Sequence, residues 1–216
     1  MDSNLLSLPN SSSTSRWKYD VFLSFRGDDT HYKFTDHLYT TLVKRGIITF
    51  RDNENLERGK FISPELLQVI EESRFAIVIL SENYACSSWC LDELAKIIEC
   101  EKEQRMTVLL VFHYVDSTDV RKQTGTFEEA FDAHEMHFEE KRVKTWRDAL
   151  IHVGNLAGCH LKNISPETQD IQRIVRQISH IVRYKFSELT NKDLVGIYPQ
   201  AMELESLLAL DQFDDV

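Results

Sequence analysis

The pattern of hydrophobic and polar positions along the chain predicts strands separated by helices. Apolar runs of strand length occupy residues 19–25, 47–50, 75–80 and 107–112, and a shorter run at 159–161 is the candidate for a fifth strand. The runs at 19–25 and 75–80 are apolar on both faces, which is typical of central strands in a parallel sheet. Between the runs, apolar residues recur every three or four positions, as on one side of an amphipathic helix.

Several helix ends have recognisable signals. The first helix is expected to end at Gly46, because glycine favours the left-handed conformation after a last helical turn. The residues expected on its core side are Phe34, Leu38, Leu42 and Val43. Ser63 and Pro64 form an N-cap and first-turn signal for the second helix. Thr126 and Glu129 have capping-box spacing, which predicts a helix from Thr126 to about residue 137. A last amphipathic helix is predicted to reach about residue 186.

Strands that alternate with helices predict a flavodoxin-like, doubly wound α/β fold with helices on both faces of a five-stranded parallel sheet. The expected strand order is 2-1-3-4-5, with a switch point between strands 1 and 3. Ligands bind in such folds at the crevice beyond the carboxyl ends of the strands. The loops at 26–30 and 81–93 should therefore face each other there, and the loop at 51–61 should flank the same edge.

The stretch 81–94 carries the strongest candidate chemistry. It follows a buried strand, leads into a helix and contains Trp89, Asp92 and Glu93. Adjacent residues on a helix point about 100° apart, so only one of the two carboxylates can face a pocket. We choose Glu93, with Trp89 one turn before it. The alternative is that both carboxylates simply favour the positive end of the helix, with Trp89 in the core.

Composition and charge narrow the class of protein. The 216-residue chain has a net charge of −10, which argues against nucleic acid held mainly by phosphate contacts. The sequence contains no signal-peptide pattern and no apolar run of about 20 residues, so neither export nor a membrane span is expected. The four cysteines are expected to be reduced thiols in the cytosol or nucleus. Residues 1–17 are Ser-rich and without periodicity, and we interpret them as a flexible tail.

Other familiar sites are missing from the sequence. There is no Gly-rich phosphate loop. His134 and His137 lack metalloprotease spacing and are expected on an exposed helix, and Cys86 and Cys90 are expected to be buried free thiols, so no metal is predicted. A single carboxylate such as Glu93 suits one reaction in particular. Nicotinamide leaves ribose as a neutral base, so its departure needs no general acid, and one carboxylate can stabilise the cationic transition state.

Four motifs in register resemble the TIR (Toll/interleukin-1 receptor) domain of plant intracellular immune receptors. They are YDVFLSFRGDDT at 19–30, LERGK at 56–60, SWCLDEL at 88–94, and VD with VRKQ at 115–123. The resemblance spans residues 18–186. It implies that residues 187–216 are a linker toward a nucleotide-binding domain, in either a receptor fragment or a short natural form.

The resemblance also implies an activity. TIR domains of this kind look like NAD(P)-cleaving enzymes that release nicotinamide and ADP-ribose-type signals, including cyclic forms, once they self-associate. NAD or NADP would be the substrate, with no further cofactor. The family's catalytic glutamate falls on Glu93. Its nucleotide-binding positions fall on Arg26, Gly27, Asp28, Asp29, Thr30, Gly59, Ser87 and Trp89.

The expected partners are other TIR domains, through a face that includes Asp36 and His37. The family usually has Ser-His at these two positions. We therefore expect Asp36 to place an unpaired carboxylate on that face, which would keep the isolated domain mainly monomeric because such a charge is costly to desolvate. The alternative function is a non-enzymatic scaffold that signals by TIR–TIR contact alone. Cyclic-nucleotide synthesis on nucleic acid is a third possibility, which the acidic charge disfavours.

Overall fold

The protein has a five-stranded, entirely parallel sheet in a computed structural model that describes residues 17–30, 34–51, 63–103, 105–161 and 166–190. The strands are β1 (Tyr19–Phe25), β2 (Thr49–Arg51), β3 (Ser73–Leu80), β4 (Thr107–His113) and β5 (Gly158–Leu161). Their order is β2-β1-β3-β4-β5, which confirms the predicted topology. The crevice between β1 and β3 therefore lies where the sequence placed it.

Eight α-helices connect or follow the described strands. They are α1 (Gly27–Thr30), α2 (Asp36–Lys44), α3 (Pro64–Glu71), α4 (Ser88–Lys102), α5 (Ser117–Lys122), α6 (Thr126–Glu135), α7 (Glu140–Gly154) and α8 (Glu167–Thr190). A short 3₁₀ turn, Tyr84–Cys86, lies between β3 and α4. No described helix is both long and apolar enough to cross a bilayer.

The chain forms two compact units, residues 1–172 and 173–216, and the whole sheet belongs to the first. α8 begins in the first unit and reaches Thr190, four residues past its predicted end. The tail predicted for 1–17 lies outside the described residues apart from its last residue, as does the linker beyond Thr190.

Both faces of the sheet are buried, as continuous apolar strands require. One face packs in a single core with α3, α4, α6 and α7. Its sheet residues are Phe22, Ala76, Val78 and Leu80, and helix residues packed with them include Ile70, Leu94, Phe131 and Trp146. The alternating strand residues Val21, Leu23, Ile77 and Ile79 are also fully or almost fully buried.

The helix-end predictions had mixed outcomes. Gly46 adopts a left-handed φ of 74° after α2, and Ser63 caps α3 by accepting from the Leu66 N–H at 3.2 Å, so both predictions are confirmed. Val43 is exposed, contrary to its predicted place in the core. The capping box at Thr126 is also wrong, because the cap position is Gly125 and no side-chain cap bond forms there.

Candidate functional site

Two loops meet at the carboxyl edge of the sheet, where β1 and β3 end side by side. Asp29 joins them, because its carboxylate accepts from Ser81 Oγ at 2.6 Å, from the Asn83 backbone N–H at 3.1 Å and from Asn83 Nδ2 at 3.3 Å. Arg26 adds a contact, since its Nη1 donates to the Asn83 carbonyl at 2.8 Å. The predicted convergence of these two loops is confirmed. The loop after β2 lies outside the described residues, and Gly59 with it.

Arg26 is a largely buried cation held by acids. Its Nη2 contacts the Asp28 carboxylate at 3.2 Å, and its Nε lies 3.7 Å from Asp29 Oδ1. Burial opposes its charge, but the hydrogen bond to Asp28 and the charge of Asp29 outweigh burial and raise the pKa of Arg26. A guanidinium fixed in this way suits a phosphate group, which would replace the exposed Asp28 as its partner.

In α1, some residues are open to a ligand and others make contacts that stabilise the loop. A Cβ added to Gly27 would meet no atom within 4 Å, and its φ is not left-handed, so neither packing nor a turn requires glycine there. Asp28 is exposed. Thr30 is buried, and its hydroxyl accepts from Thr35 Oγ1 at 2.9 Å. Thr30 and Asp29 thus hold the loop in place, and a substrate contact by either stays a prediction.

Glu93 faces the carboxyl end of β1 from the second turn of α4. It is 5% exposed, and its Oε2 lies 2.7 Å from Ser24 Oγ. Ser24 Oγ is in turn 2.8 Å from Tyr84 Oη, and Tyr84 donates to the Cys90 carbonyl at 3.0 Å. The predicted catalytic carboxyl group is therefore connected to β1, to the turn after β3 and to its own helix.

The groups beside Glu93 are kept neutral. Burial is the main cause that raises the pKa of the Tyr84 phenol well above its usual 10.0, and the nearby Glu93 carboxylate adds to it. Burial and the neighbouring Glu93 likewise raise the pKa of the Cys90 thiol. Neither group is a candidate nucleophile in this state, because the thiolate and not the thiol is reactive.

Asp92 faces a different element from Glu93, as their helical spacing predicts. Its carboxylate accepts from Arg142 Nε at 3.2 Å, from Arg142 Nη2 at 2.5 Å and from Trp146 Nε1 at 2.8 Å, all on α7. Neither acid lies in the first turn of α4, so the helix-terminus alternative does not account for them. The structure therefore gives Asp92 a packing role and leaves Glu93 as the acid at the crevice.

Ser87 and Trp89 open α4 beside the same crevice. Ser87 is the N-cap, with its Oγ accepting from the Cys90 N–H at 3.3 Å, and its hydroxyl proton is not used in that bond. Trp89 packs against the core, as the alternative interpretation expected. Its Nε1 is nevertheless buried without a hydrogen-bond partner among the described residues. An unsatisfied buried donor is costly, and a bound ligand could satisfy it.

Two residues of α6 support the loop after β3, and sequence reasoning gave them other roles. Thr126 Oγ1 donates to the Glu82 carbonyl at 2.7 Å instead of capping its helix. His134 was expected on an exposed helix but is buried, and its Nε2–H donates to the Ala85 carbonyl at 2.8 Å. Burial lowers the pKa of His134, so a neutral ring donates this bond at neutral pH.

Ser24 and Tyr84 were not identified from the sequence. Ser24 left a weak signal, because it is the one hydroxyl in the apolar part of the β1 run. Tyr84 left none, since a tyrosine after a strand is equally compatible with a surface loop. Their roles depend on contacts that join positions 60 and 69 residues apart.

The self-association face differs from expectation in one respect. His37 is exposed, but the Asp36 carboxylate is not unpaired, because Arg51 Nη1 donates to it. The same guanidinium lies 4.2 Å from the centroid of the Tyr39 ring. The predicted cost of an unpaired carboxylate on this face is therefore wrong, while a role of Asp36 and His37 in self-association stays a prediction.

The remaining features are the cysteines, the possible metal ligands and a surface cleft. Cys90 is buried as expected, whereas Cys86 is exposed. Within the described ranges, no group of three or more His, Cys, Asp and Glu residues could hold a metal ion. A shallow cleft of about 610 Å³ lies beside α3, near the amino ends of the strands and away from Glu93. It is lined by Pro64, Leu67, Gln68, Glu71, Glu72 and Arg105.

Fold and site together define a flavodoxin-like domain with one buried acid at its switch-point crevice. The chain belongs to the TIR domain family, whose model matches residues 18–197.

Similar sequences include plant disease resistance proteins. The chain is 47% identical over 196 residues to the disease resistance protein RPV1 of Vitis rotundifolia. This aligned region covers 91% of this chain and 14% of that protein. It is 45% identical over 206 residues to the TMV resistance protein N of Nicotiana glutinosa, covering 94% of this chain and 18% of that protein. The chain thus spans less than a fifth of the length of these two relatives.

A solved structure agrees with the fold. The TIR domains of the activated Roq1 resistosome, which directly recognises the pathogen effector XopQ, are 46% identical to this chain, with a TM-score of 0.67. The match covers 74% of this chain and 99% of the resistosome's TIR chain.

Proposed function

We propose that this TIR domain is an NAD(P) glycohydrolase of plant innate immunity that becomes active when TIR domains self-associate. It would cleave the bond between nicotinamide and ribose, giving nicotinamide and ADP-ribose-type products. The observation that carries the proposal is Glu93, a single buried acid at the switch-point crevice. Similarity to plant disease resistance proteins supports the immune role, and similarity to a resistosome's TIR domains supports activation by assembly.

The reaction needs little from the protein beyond charge and position. Nicotinamide departs with the electrons of its bond to C1′ and so becomes neutral, while positive charge develops on the ribose. The ionised Glu93 carboxylate would stabilise that charge. Water then adds to C1′ and loses a proton, giving ADP-ribose. Attack by a group of the same nucleotide in place of water gives a cyclic product.

The described residues around the crevice supply binding groups of the right kind. Arg26 is a fixed cation for a phosphate group, and the space beside Gly27 lets a ligand approach the backbone. Ser87 keeps a hydroxyl proton to donate, and Trp89 offers both a ring face and an unsatisfied Nε1–H.

The scaffold function remains the alternative, and one observation favours it. The Glu93 carboxylate accepts a hydrogen bond from Ser24 Oγ inside the domain, so this conformation does not present an open acid to a substrate. A scaffold would need no change at Glu93.

Nicotinamide release from NAD and from NADP, measured by chromatography, tests the proposal. The protein should be fused to an oligomerising domain so that assembly is enforced. We expect Glu93→Gln to reduce release by about a hundredfold or more, because it removes the charge while preserving the shape of the side chain. The matched control is Asp92→Asn, the same change of charge on the neighbouring residue, which should retain most of the activity once folded. Equal loss in both variants, or no release by the assembled parent protein, would reject the enzyme and leave the scaffold.

A further inference from the structure

Helix α6 holds the loop between β3 and α4 by two backbone carbonyl groups. Thr126 Oγ1, in the first turn of α6, donates to the Glu82 carbonyl at 2.7 Å. His134 Nε2–H, in the last turn, donates to the Ala85 carbonyl at 2.8 Å. The helix has 10 residues and is therefore about 15 Å long. It contacts the loop from both of its ends, and the contacts do not depend on which side chains the loop carries.

The opposite side of the same loop is held by residues proposed to bind substrate. Asp29 accepts from Ser81 Oγ and from the Asn83 N–H, and Arg26 donates to the Asn83 carbonyl. Because Arg26 is the proposed partner of a phosphate group, the contacts on this side can change when a nucleotide binds. The two α6 residues are not among the proposed substrate contacts, so their bonds can keep the loop in place during binding.

The position of this loop determines where Ser87 and Trp89 lie at the crevice. The loop ends in the 3₁₀ turn Tyr84–Cys86, and the Ser87 N–H donates to the Tyr84 carbonyl at 3.3 Å. Ser87 then caps α4, and Trp89 lies in its first turn. A single 3₁₀ turn has poorer hydrogen-bond geometry than an α-helix. The bond that His134 makes to Ala85 inside this turn is therefore well placed to stabilise it.

The His134 side chain is itself fixed by packing. It is 8% exposed, and its ring centroid lies 5.5 Å from that of Phe138 and 5.2 Å from that of Trp146. Trp146 Nε1 donates to Asp92 on α4 at 2.8 Å. His134 thus binds the turn before α4 and packs against a residue that binds α4 itself. Its bond to Ala85 is buried, whereas the bond from Thr126 to Glu82 is exposed to water.

We propose that Thr126 and His134 are positioning residues for substrate binding, which act by holding the loop that presents Ser87 and Trp89 to the nucleotide. This role rests on the proposed function. Each residue acts through a backbone carbonyl of the loop and not through the substrate. His134 has the larger effect, because water cannot easily replace a buried hydrogen bond.

The proposed catalytic acid is held by a separate contact. Glu93 accepts from Ser24 on β1 at 2.7 Å, so its place at the crevice does not depend on α6 alone. Loss of the α6 contacts should therefore weaken nucleotide binding and raise KM, with a much smaller change in kcat. A loss of folded protein would lower the apparent kcat and leave KM unchanged, so the two effects can be separated.

Amide hydrogen exchange of the full chain without NAD, measured by mass spectrometry, tests the loop contact. His134→Leu removes the donor, and exchange in residues 82–87 should become about three- to tenfold faster, the equivalent of one hydrogen bond. His134→Gln keeps an N–H donor near the position of Nε2 and should restore slow exchange. Thr126→Val should give a smaller change, about twofold, because its bond is exposed. The matched control is Thr145→Val, whose hydroxyl donates to the Lys141 carbonyl of its own helix, and it should leave this segment unchanged.

NAD binding and kinetics test the positioning role. With Glu93→Gln present to suppress cleavage, an NMR titration gives the dissociation constant for NAD. Adding His134→Leu should raise it about three- to tenfold, and His134→Gln should restore most of the affinity. In assembled protein that retains Glu93, His134→Leu should raise KM by a similar factor and change kcat by less than about twofold.

Unchanged exchange in folded His134→Leu protein would overturn the proposal, and so would faster exchange with an unchanged dissociation constant and KM. A lower kcat with the parent KM would show a structural role only. If His134→Leu does not fold, Thr126→Val compared with Thr145→Val decides by the same measurements. If assembled parent protein releases no nicotinamide, the glycohydrolase proposal fails, while exchange and NAD binding still decide the role of α6. If the parent releases nicotinamide and His134→Leu keeps its KM, the enzyme remains and the positioning role is wrong.

Discussion

Replacing Asp92 with alanine removes the acceptor on which α4 and α7 meet through polar contacts. The two carboxylate oxygens receive three hydrogen bonds, two from Arg142 and one from Trp146. The Asp92 and Arg142 side chains are only 14% and 20% exposed, so water cannot fully replace the lost partner. We expect Asp92→Ala to destabilise the fold strongly, even though its neighbour Glu93 is the proposed catalytic residue.

The magnitude follows from these contacts. A hydrogen bond to a charged group contributes about 1.5–3 kcal/mol, and removing one partner of a buried ion pair costs about 3–5 kcal/mol. Arg142 keeps its positions 4.9 Å and 5.0 Å from the Phe138 and Trp146 ring centroids, and it is partly hydrated, which reduces the cost. We therefore expect a loss of about 3 kcal/mol in the free energy of unfolding. For a domain of this size, that lowers the Tm by roughly 6–12 °C.

Urea denaturation and thermal melting, both followed by circular dichroism, measure this change. Asp92→Asn is the matched control, because an amide oxygen can still accept from Trp146 while the charge opposite Arg142 is lost. It should cost about half as much. Glu93→Gln should change stability by less than about 1 kcal/mol, because it preserves the shape of the side chain and an oxygen that accepts from Ser24.

The reasoning would be refuted by a folded Asp92→Ala protein with a free energy of unfolding within about 1 kcal/mol of the parent. That result would mean that water or a rearranged neighbour satisfies Arg142 and Trp146. An Asp92→Asn protein less stable than Asp92→Ala would also contradict the proposed geometry, since alanine removes every contact that asparagine keeps.

Three further predictions concern packing, pH and assembly. Gly154→Ala should lower the free energy of unfolding by about 1–3 kcal/mol in urea titrations, because the new Cβ would lie 2.8 Å from the backbone Cα of Arg121. Burial lowers the folded-state pKa of His134 below its usual value near 6.5, so the unfolded chain takes up a proton first as pH falls. The contribution of the neutral His134 ring to the free energy of unfolding should be complete above about pH 6.5 and should be lost as pH falls through the folded-state pKa. In urea titrations at a series of pH values, His134→Gln should therefore weaken the dependence of the free energy of unfolding on pH in this range. Arg51→Gln removes the cation paired with Asp36 and leaves that carboxylate without this partner, so it should weaken self-association more than Asp36→Ser does. Sedimentation measures the self-association of both variants. A larger loss in Asp36→Ser than in Arg51→Gln would contradict the role of this ion pair.

Much of the fold could be predicted because its signals are local. The bounds of β1 agree with the apolar run that predicted it, and the Gly46 and Ser63 signals end and begin helices as expected. Because crossover connections between parallel strands are right-handed and consecutive strands are usually neighbours, few strand orders are then possible. The capping-box error has a tertiary cause. Thr126 has the spacing of a capping box, but its hydroxyl binds the Glu82 carbonyl, a tertiary partner that the local pattern does not contain.

The candidate site was predicted in outline but not in its connections. The motifs placed Arg26, Gly27, Trp89 and Glu93 at one edge of the sheet, and the loop contacts agree with that placement. Ser24 was missed, since a hydroxyl within a buried strand has no sequence signature of its own.

The sequence by itself determined the class of fold, the crevice and the acid that belongs to it, because hydrophobic periodicity, crossover topology and helical spacing act over short stretches of chain. Only the tertiary structure decided what each acid binds. Asp92 pairs with a residue 50 positions away and Glu93 with one 69 positions away. Partners at such separations are set by how whole elements pack, and it is those partners that give Asp92 a packing role and hold Glu93 against the end of β1 at the crevice.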